Sequence, residues 1–173
     1  MIATPRLILR APVAADHAAL WAMWRDPVVM ADLGGAKDDA ACAAVLARHA
    51  GYAPLGFGVV ERRDSGAVIG HVGLKPGAAG TPIAGLLEIG WIVARPHWGS
   101  GYAREAAAAW LDWAWRHREE PAVHAITARR NAASRRVMER LGMVHVPTLD
   151  FAHPAHADDP ALADTATYRI ERP

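Results

Sequence analysis

One stretch constrains the rest of this chain. Residues 86–115 begin as an apolar run of strand length, break at Pro96, pass Gly99-Ser100-Gly101 and continue as an Ala/Trp-rich helix. A strand, a glycine turn and a helix start, in that order, build an anion site. The first N–H groups of a helix have no intrahelical acceptor, and the positive end of its dipole points the same way. Glycine lets the backbone approach a ligand closely and take positive φ. A Gly-x-Gly alone also fits a tight loop, so specificity must come from the residues around it.

The flanking chain alternates short strand and helix patterns. Arg6 to Arg10, bounded by Pro5 and Pro12, predicts a first strand. Asp16 is placed to cap a helix that runs through Arg25 and ends before Pro27. A second helix, about Ala36 to Ala50, stops at Gly51 and is too Ala-rich to offer more than a thin packing face. Phe57 to Arg62 and Ala67 to Leu74 flank Asp64-Ser65-Gly66, a hairpin signal. Lys75 to Gly85 is rich in Gly and Pro and reads as loop. In the helix after the glycines, Arg104, Asp112 and Arg116 line one side, while Tyr102, Ala106, Ala109, Trp110 and Trp113 form an apolar face. Ala122 to Thr127 predicts another strand. Asn131 caps a helix to Leu141, which Gly142 ends, and Met143 to Val146 and Thr167 to Ile170 are strand-like. Strands interrupted by helices predict one mixed α/β domain over residues 1–173, of the α+β kind, with a largely antiparallel sheet.

Charge narrows the partners. Lys and Arg number 19 against 18 Asp and Glu, a net charge of +1. That is no electrostatic footprint for nucleic acid or an anionic membrane, so neither is expected as a partner. The one cysteine, Cys42, cannot form an internal disulfide, which points to a reducing cytoplasm. The opening residues lack the pattern of a signal peptide, and no apolar run reaches the roughly 18 residues of a membrane helix. The expectation is a cytoplasmic protein, with monomer and homodimer both open.

Glu88-Ile89-Gly90-Trp91, followed by the run from Trp98 to Ala106, resembles the acyl-CoA-binding motif of the GCN5-related N-acetyltransferase (GNAT) superfamily, in particular the branch of ribosomal-protein N-terminal acetyltransferases. Asn131-x-x-Ser134-x-Arg136-Val137-x-Glu139-x-Leu141-Gly142 resembles a second motif of that branch, and the likeness extends from Thr4 to Ile170. The family's Gln/Arg before the glycines falls here on Pro96, between Arg95 and His97. The resemblance implies the GNAT fold, with splayed central strands and flanking helices, and acetyl-CoA as co-substrate without a metal. It implies that backbone groups of Ile92 and Val93 hold the pantetheine arm, and that N–H groups from Trp98, Gly99, Ser100, Gly101, Tyr102 and Ala103 cradle the pyrophosphate.

Acyl transfer to an amine also needs a base and a proton for the departing thiolate. Glu88 is the one carboxylate in its apolar strand. Burial raises a carboxyl pKa and suits it to take the amine proton, directly or through water; the alternative is a strand-end glutamate paired with an arginine. The resemblance suggests Ser134 as proton donor near the sulfur, since Met138 stands where many relatives carry a tyrosine, and Asn131 and Arg136 as cofactor-side residues. Asn131 and Ser134 also fit a helix cap. The remaining arginines, Arg129, Arg130, Arg135 and Arg140, read as a solvated helix face. His153, His156, Asp158 and Asp159 match no zinc spacing and read as a mobile polar loop. Asp150-Phe-Ala-His-Pro154 resembles an Asp-Phe-Asp-His-Pro stretch of close relatives, with Ala152 in place of the second Asp. The resemblance implies that this loop borders the acceptor site. Of the seven tryptophans, Trp24, Trp91 and Trp98 are placed to line the substrate side, and His71 reads as a core histidine. The expected activity is an N-acetyltransferase acting on a protein N-terminus or a small-molecule amine. A sensor that binds acyl-CoA without turnover is the second reading, and Glu88 together with Ser134 favours the enzyme. A phosphate-transferring enzyme is disfavoured, because no Lys-Ser/Thr follows the glycines.

Overall fold

A computed structural model describes all 173 residues. Its centre is a nine-stranded sheet. The strands are β1 (Ile2–Ala3), β2 (Leu7–Arg10), β3 (Gly56–Arg62), β4 (Val68–Pro76), β5 (Leu87–Val93), β6 (Ala122–Ala128), β7 (Val144–His145), β8 (Phe151–Ala152) and β9 (Asp164–Glu171). They lie in the order β1-β2-β3-β4-β5-β6-β9-β7, with β8 against β9. Every pairing is antiparallel except β5 with β6. Those two are joined by a helical crossover, the connection that parallel strands require. They meet at a single pair, Glu88↔His124, and then part. The sheet therefore opens into a V in its middle.

Alternation along β5 decides which residues face which layer. Leu87 and Ile89 pack with Leu74, Val123, Ala125 and Tyr168 against α3 (Tyr102–His117) and Met138 of α4 (Ala132–Arg140). Glu88, Gly90 and Ile92 face the other layer, where α1 (His17–Arg25) and α2 (Asp39–Ala50) supply Leu20, Met23, Trp24, Cys42 and Val45. A Cβ on Gly90 would lie 2.6 Å from Phe57 Cζ, so the Phe57 ring occupies the space left by the missing side chain. A short helix, α5 (Pro160–Ala163), precedes β9.

Several elements depart from expectation for identifiable reasons. Asp16 does not cap α1. Its carboxylate is taken by Arg10, with Nη1 and Nη2 donating at 2.7 and 2.8 Å, and by the Val13 N–H at 2.7 Å. A bidentate charge-assisted pair outcompetes a cap. The α2 helix starts at Asp39, later than predicted, because Asp38 accepts the Ala41 N–H at 2.8 Å. Strand β4 continues through Lys75 and Pro76, which the Gly/Pro content assigns to a loop. The register explains the proline: Pro76 points its missing N–H away from β5, beyond the first β3 residue, Gly56, which pairs with Leu74. The buried face of α3 is Ala106, Ala107, Leu111 and Ala114. Its small residues sit on the sheet, and Trp110 and Trp113 lie half-buried along the sides.

Candidate active site

The V leaves one edge of β5 unpaired, and strand parity determines which backbone groups line it. The Ala94 N–H donates to Ile69 O at 2.9 Å, next to the Gly70↔Val93 pair. Antiparallel pairing alternates, so Val93 and Trp91 turn their N–H and C=O groups away from β4 and into the V. Ile92 turns its own toward β4; a Cβ on Gly70 would meet Ile92 O at 2.8 Å. Ile92 is thus a correction to the sequence reading: its backbone is occupied by the neighbouring strand, and its side chain packs toward α1 and α2. Trp91 supplies the open groups instead. Val93 keeps a free N–H, while its carbonyl accepts Trp98 Nε1 at 2.7 Å.

Beyond β5 the chain makes a tight turn over Arg95–His97 and reaches the glycines. Gly99 and Gly101 have φ of 75° and 78°, the left-handed region, and Gly101 stands at the N-terminus of α3 without a capping side chain. The first helical bond is Glu105 N–H to Gly101 O, at 3.0 Å. From Gly99 through Arg104 no N–H finds an acceptor in the chain. These are the orphan donors of a helix start, extended by the turn, and they concentrate positive potential at one end of the V. Trp98 differs from expectation. Its N–H is used on Arg95 O at 3.2 Å, and its half-exposed indole ties the turn to the strand end. The free donors begin at Gly99 and include Ser100, Gly101, Tyr102 and Ala103.

Glu88 sits at the vertex, in the last pair before β5 and β6 separate, and is 5% exposed. Its partner is not an arginine but Lys75, directly opposite on β4, whose Nζ donates to Glu88 Oε2. Burial pushes the Glu88 carboxyl above the ordinary range, against the charge and hydrogen bond of Lys75. Three histidines surround this pair. His124, the register partner of Glu88, is buried with Nδ1 unpartnered, and burial lowers its pKa. His49 on α2 is pushed down to about 4 by burial, then by Arg48 and Lys75. His153 is lowered by burial, then by His156 and Lys75. His71 is fully buried and pushed down to about 3, chiefly by burial, with Nε2 3.1 Å from Phe57 O. It is a neutral core histidine.

On the β6 side of the V, Asn131 caps α4 by accepting the Ser134 N–H at 3.0 Å. The half-buried Ser134 hydroxyl makes no bond of its own, and Met138 is buried in the core. Arg136 is exposed and pairs with no carboxylate. Three other arginines are paired within the chain, although Arg129 and Arg130 stay well exposed. Arg129 binds Asp150 at 2.9 Å and Asp164 at 3.0 Å, Arg130 binds Asp32 at 2.7 Å, and Arg135 donates to the Tyr168 hydroxyl at 3.0 Å. The loop after β7 is correspondingly tied down. Asp150 also accepts the Thr167 N–H at 2.8 Å, and the His153 N–H binds Ala163 O. A cavity of about 420 Å³ opens there, bordered by Phe151, His153, Pro154 and Asp164. No group of three or more His, Cys, Asp or Glu is placed to hold a metal ion. Trp24 is buried between α1 and the sheet, and the Trp91 side chain faces α3, so of the three tryptophans only Trp98 brings its indole to the V.

An open strand edge ending in a row of free helix-start donors can pair with an extended chain and receive an anion at its end. Residues 6–144 match the model of the acetyltransferase (GNAT) domain family. The chain belongs to the GNAT family. Among relatives, the uncharacterized protein YkkB of Bacillus subtilis (strain 168) is 32% identical over 153 residues, covering 86% of this chain and 87% of that one. An acetyltransferase from Agrobacterium tumefaciens str. C58 superposes with a TM-score of 0.80 at 28% identity, covering 98% and 93% of the two chains. The spermidine N-acetyltransferase of Vibrio cholerae, solved with CoA and spermine, shares the fold with a TM-score of 0.75 at 18% identity, over 98% and 97%. For a GNAT chain, the mixed sheet that splays at β5 and β6 is the expected architecture. Sequence reasoning missed Lys75. The signal for it was present: a lone carboxylate in an apolar strand calls for a cation, and Lys75 closes the preceding strand pattern.

Proposed function

We propose that this GNAT chain moves an acetyl group from acetyl-CoA to a primary amine by direct attack within a ternary complex. One observation carries the reading: the only carboxylate of β5 lies at the vertex of the V, and the free donors of residues 99–104 lie at its mouth. The open groups of Trp91 and Val93 pair with the pantetheine arm as a further strand would. The N–H groups from Gly99 to Ala103 receive the pyrophosphate, and Arg136 lies toward the nucleotide phosphates. Glu88 takes the proton of the incoming amine, directly or through water. The amine nitrogen bonds to the thioester carbon, the C–S bond breaks, and the thiolate collects a proton through the Ser134 hydroxyl, which takes one from solvent water in turn. A thiol with a pKa near about 8.5 needs only modest help to leave. The acceptor in this proposal is a protein N-terminus, or a small amine such as a polyamine, amino acid or antibiotic. A cytoplasmic setting belongs to the same proposal.

The binding-only reading draws on a specific observation too, since the Glu88 carboxylate is already engaged by Lys75. An amine-library screen for free thiol release from acetyl-CoA decides between them. Turnover with at least one primary amine is expected; binding of acetyl-CoA with no thiol released by any amine would leave the sensor.

A further inference from the structure

The Thr4-Pro5-Arg6 segment is distant in sequence from the glycine turn, yet it lies beneath it. Arg6 Nη1 donates to Ser100 O at 3.0 Å, and Nε donates to Glu105 Oε2 at 2.6 Å. The Arg6 N–H and the Thr4 hydroxyl both donate to Glu105 Oε1, at 3.0 and 2.6 Å. The guanidinium lies over the Tyr102 ring, 4.5 Å from its centre, and Nη2 has no partner in the chain. Glu105 needs this company. It is a carboxylate in the first turn of α3, the turn whose donors would receive an anion. Burial pushes its carboxyl up, but Thr4 and Arg6 together hold it below the ordinary range, so it is ionised at neutral pH.

We propose that Arg6 is a positioning residue for the phosphates of acetyl-CoA, acting through Ser100 and Glu105. The inference rests on the reading above, in which this turn holds the pyrophosphate. Two physical effects combine. A trans peptide is planar, and its C=O and N–H point in opposite directions. Anchoring the Ser100 carbonyl on Arg6 therefore aims the Gly101 N–H outward, at the ligand. An unmatched Glu105 charge would also repel a phosphate from the same helix end. Arg6 cancels that charge. The contact joins the bend between β1 and β2 to the start of α3, so the phosphate turn is set by a residue more than ninety positions away.

The test is a double-mutant cycle read by calorimetry with acetyl-CoA. Arg6→Met should weaken binding roughly 10- to 100-fold, the scale of a lost charge-assisted bond. The same substitution in a Glu105→Gln background should weaken it much less, because the repelling charge is gone. Arg6→Lys should fall between Arg6→Met and the wild type, and serves as the folded variant if Arg6→Met fails to fold. With an accepted amine, Arg6→Lys should raise the acetyl-CoA KM with kcat near wild type, a split that simple loss of fold would not produce. Gly101→Asp is the control on the underlying reading. If Gly101→Asp abolishes binding while folded Arg6 variants bind as tightly as wild type, the role of Arg6 is refuted and the turn stands. If Gly101→Asp also binds normally, the turn itself is refuted. Equal losses for Arg6→Met with and without Glu105 would overturn the charge-cancelling part.

Discussion

Replacing Lys75 by methionine removes the cation facing the buried Glu88 while keeping an apolar stem of similar length. Two unit charges in contact interact by up to about 4 kcal/mol at an effective dielectric constant of about 20. An adjacent opposite charge typically changes the ionisation constant of a carboxyl by a factor of about 10 to 1000. The other groups facing the pair, His49, His124 and His153, all have lowered pKa values and are neutral near pH 7, so none replaces the lost charge. Glu88, already raised by burial, should rise further. If it is the base, kcat/KM measured on the acid limb of both enzymes should fall by about that same factor in Lys75→Met, with the deficit closing as pH rises. Lys75→Arg should restore most of it, and Glu88→Gln should lack the limb.

Stability reports the same charge independently of any acceptor. A carboxyl raised in the folded state contributes stability that is complete at low pH and lost as pH rises through the folded value. The melting deficit of Lys75→Met should therefore grow as pH rises above the ordinary carboxylate range, toward the roughly 3–5 kcal/mol of a broken buried pair. An acid limb identical in wild type and Lys75→Met, where Glu88→Gln has lost it, would show that Lys75 does not govern the base.

Three further outcomes follow from the geometry. Gly99→Asp and Gly101→Asp put a carboxylate among free N–H donors at a positive-φ position, and calorimetry should show acetyl-CoA binding largely abolished in both. Ser134→Ala should lower kcat roughly 10- to 1000-fold with little change in acetyl-CoA binding if its hydroxyl serves the thiolate, whereas Asn131→Ala should lower stability by about 1 kcal/mol in denaturant melts through loss of the cap. Gly90→Ala places a methyl 2.6 Å from Phe57 Cζ. Because that ring is stacked on His49 at 4.3 Å and cannot swing freely, thermal melts should show a loss of about 1–3 kcal/mol.

Local chemistry alone determined much of this protein. The positive φ at Gly101, the Asn131 cap and the strand–turn–helix order around Pro96 depend on neighbours within a few residues, and those interactions are written in the chain as spacing. The burial of Glu88 was also legible, since a single carboxylate in an apolar strand has little choice of surroundings. Only the tertiary structure decided which partner Glu88 takes. That depended on β4 running two residues past its apolar pattern, which the register tolerates because Pro76 has no strand to donate to. It also decided that Trp91, and not Ile92, shares the open edge with Val93. Strand parity is set by pairing with β4, and a sequence shows which residues alternate without showing which set turns toward the gap. The hold of Arg6 on Ser100 and Glu105 was beyond sequence reasoning for the same reason. Contacts between distant segments follow from how sheet and helix pack, and that packing is a property of the whole chain.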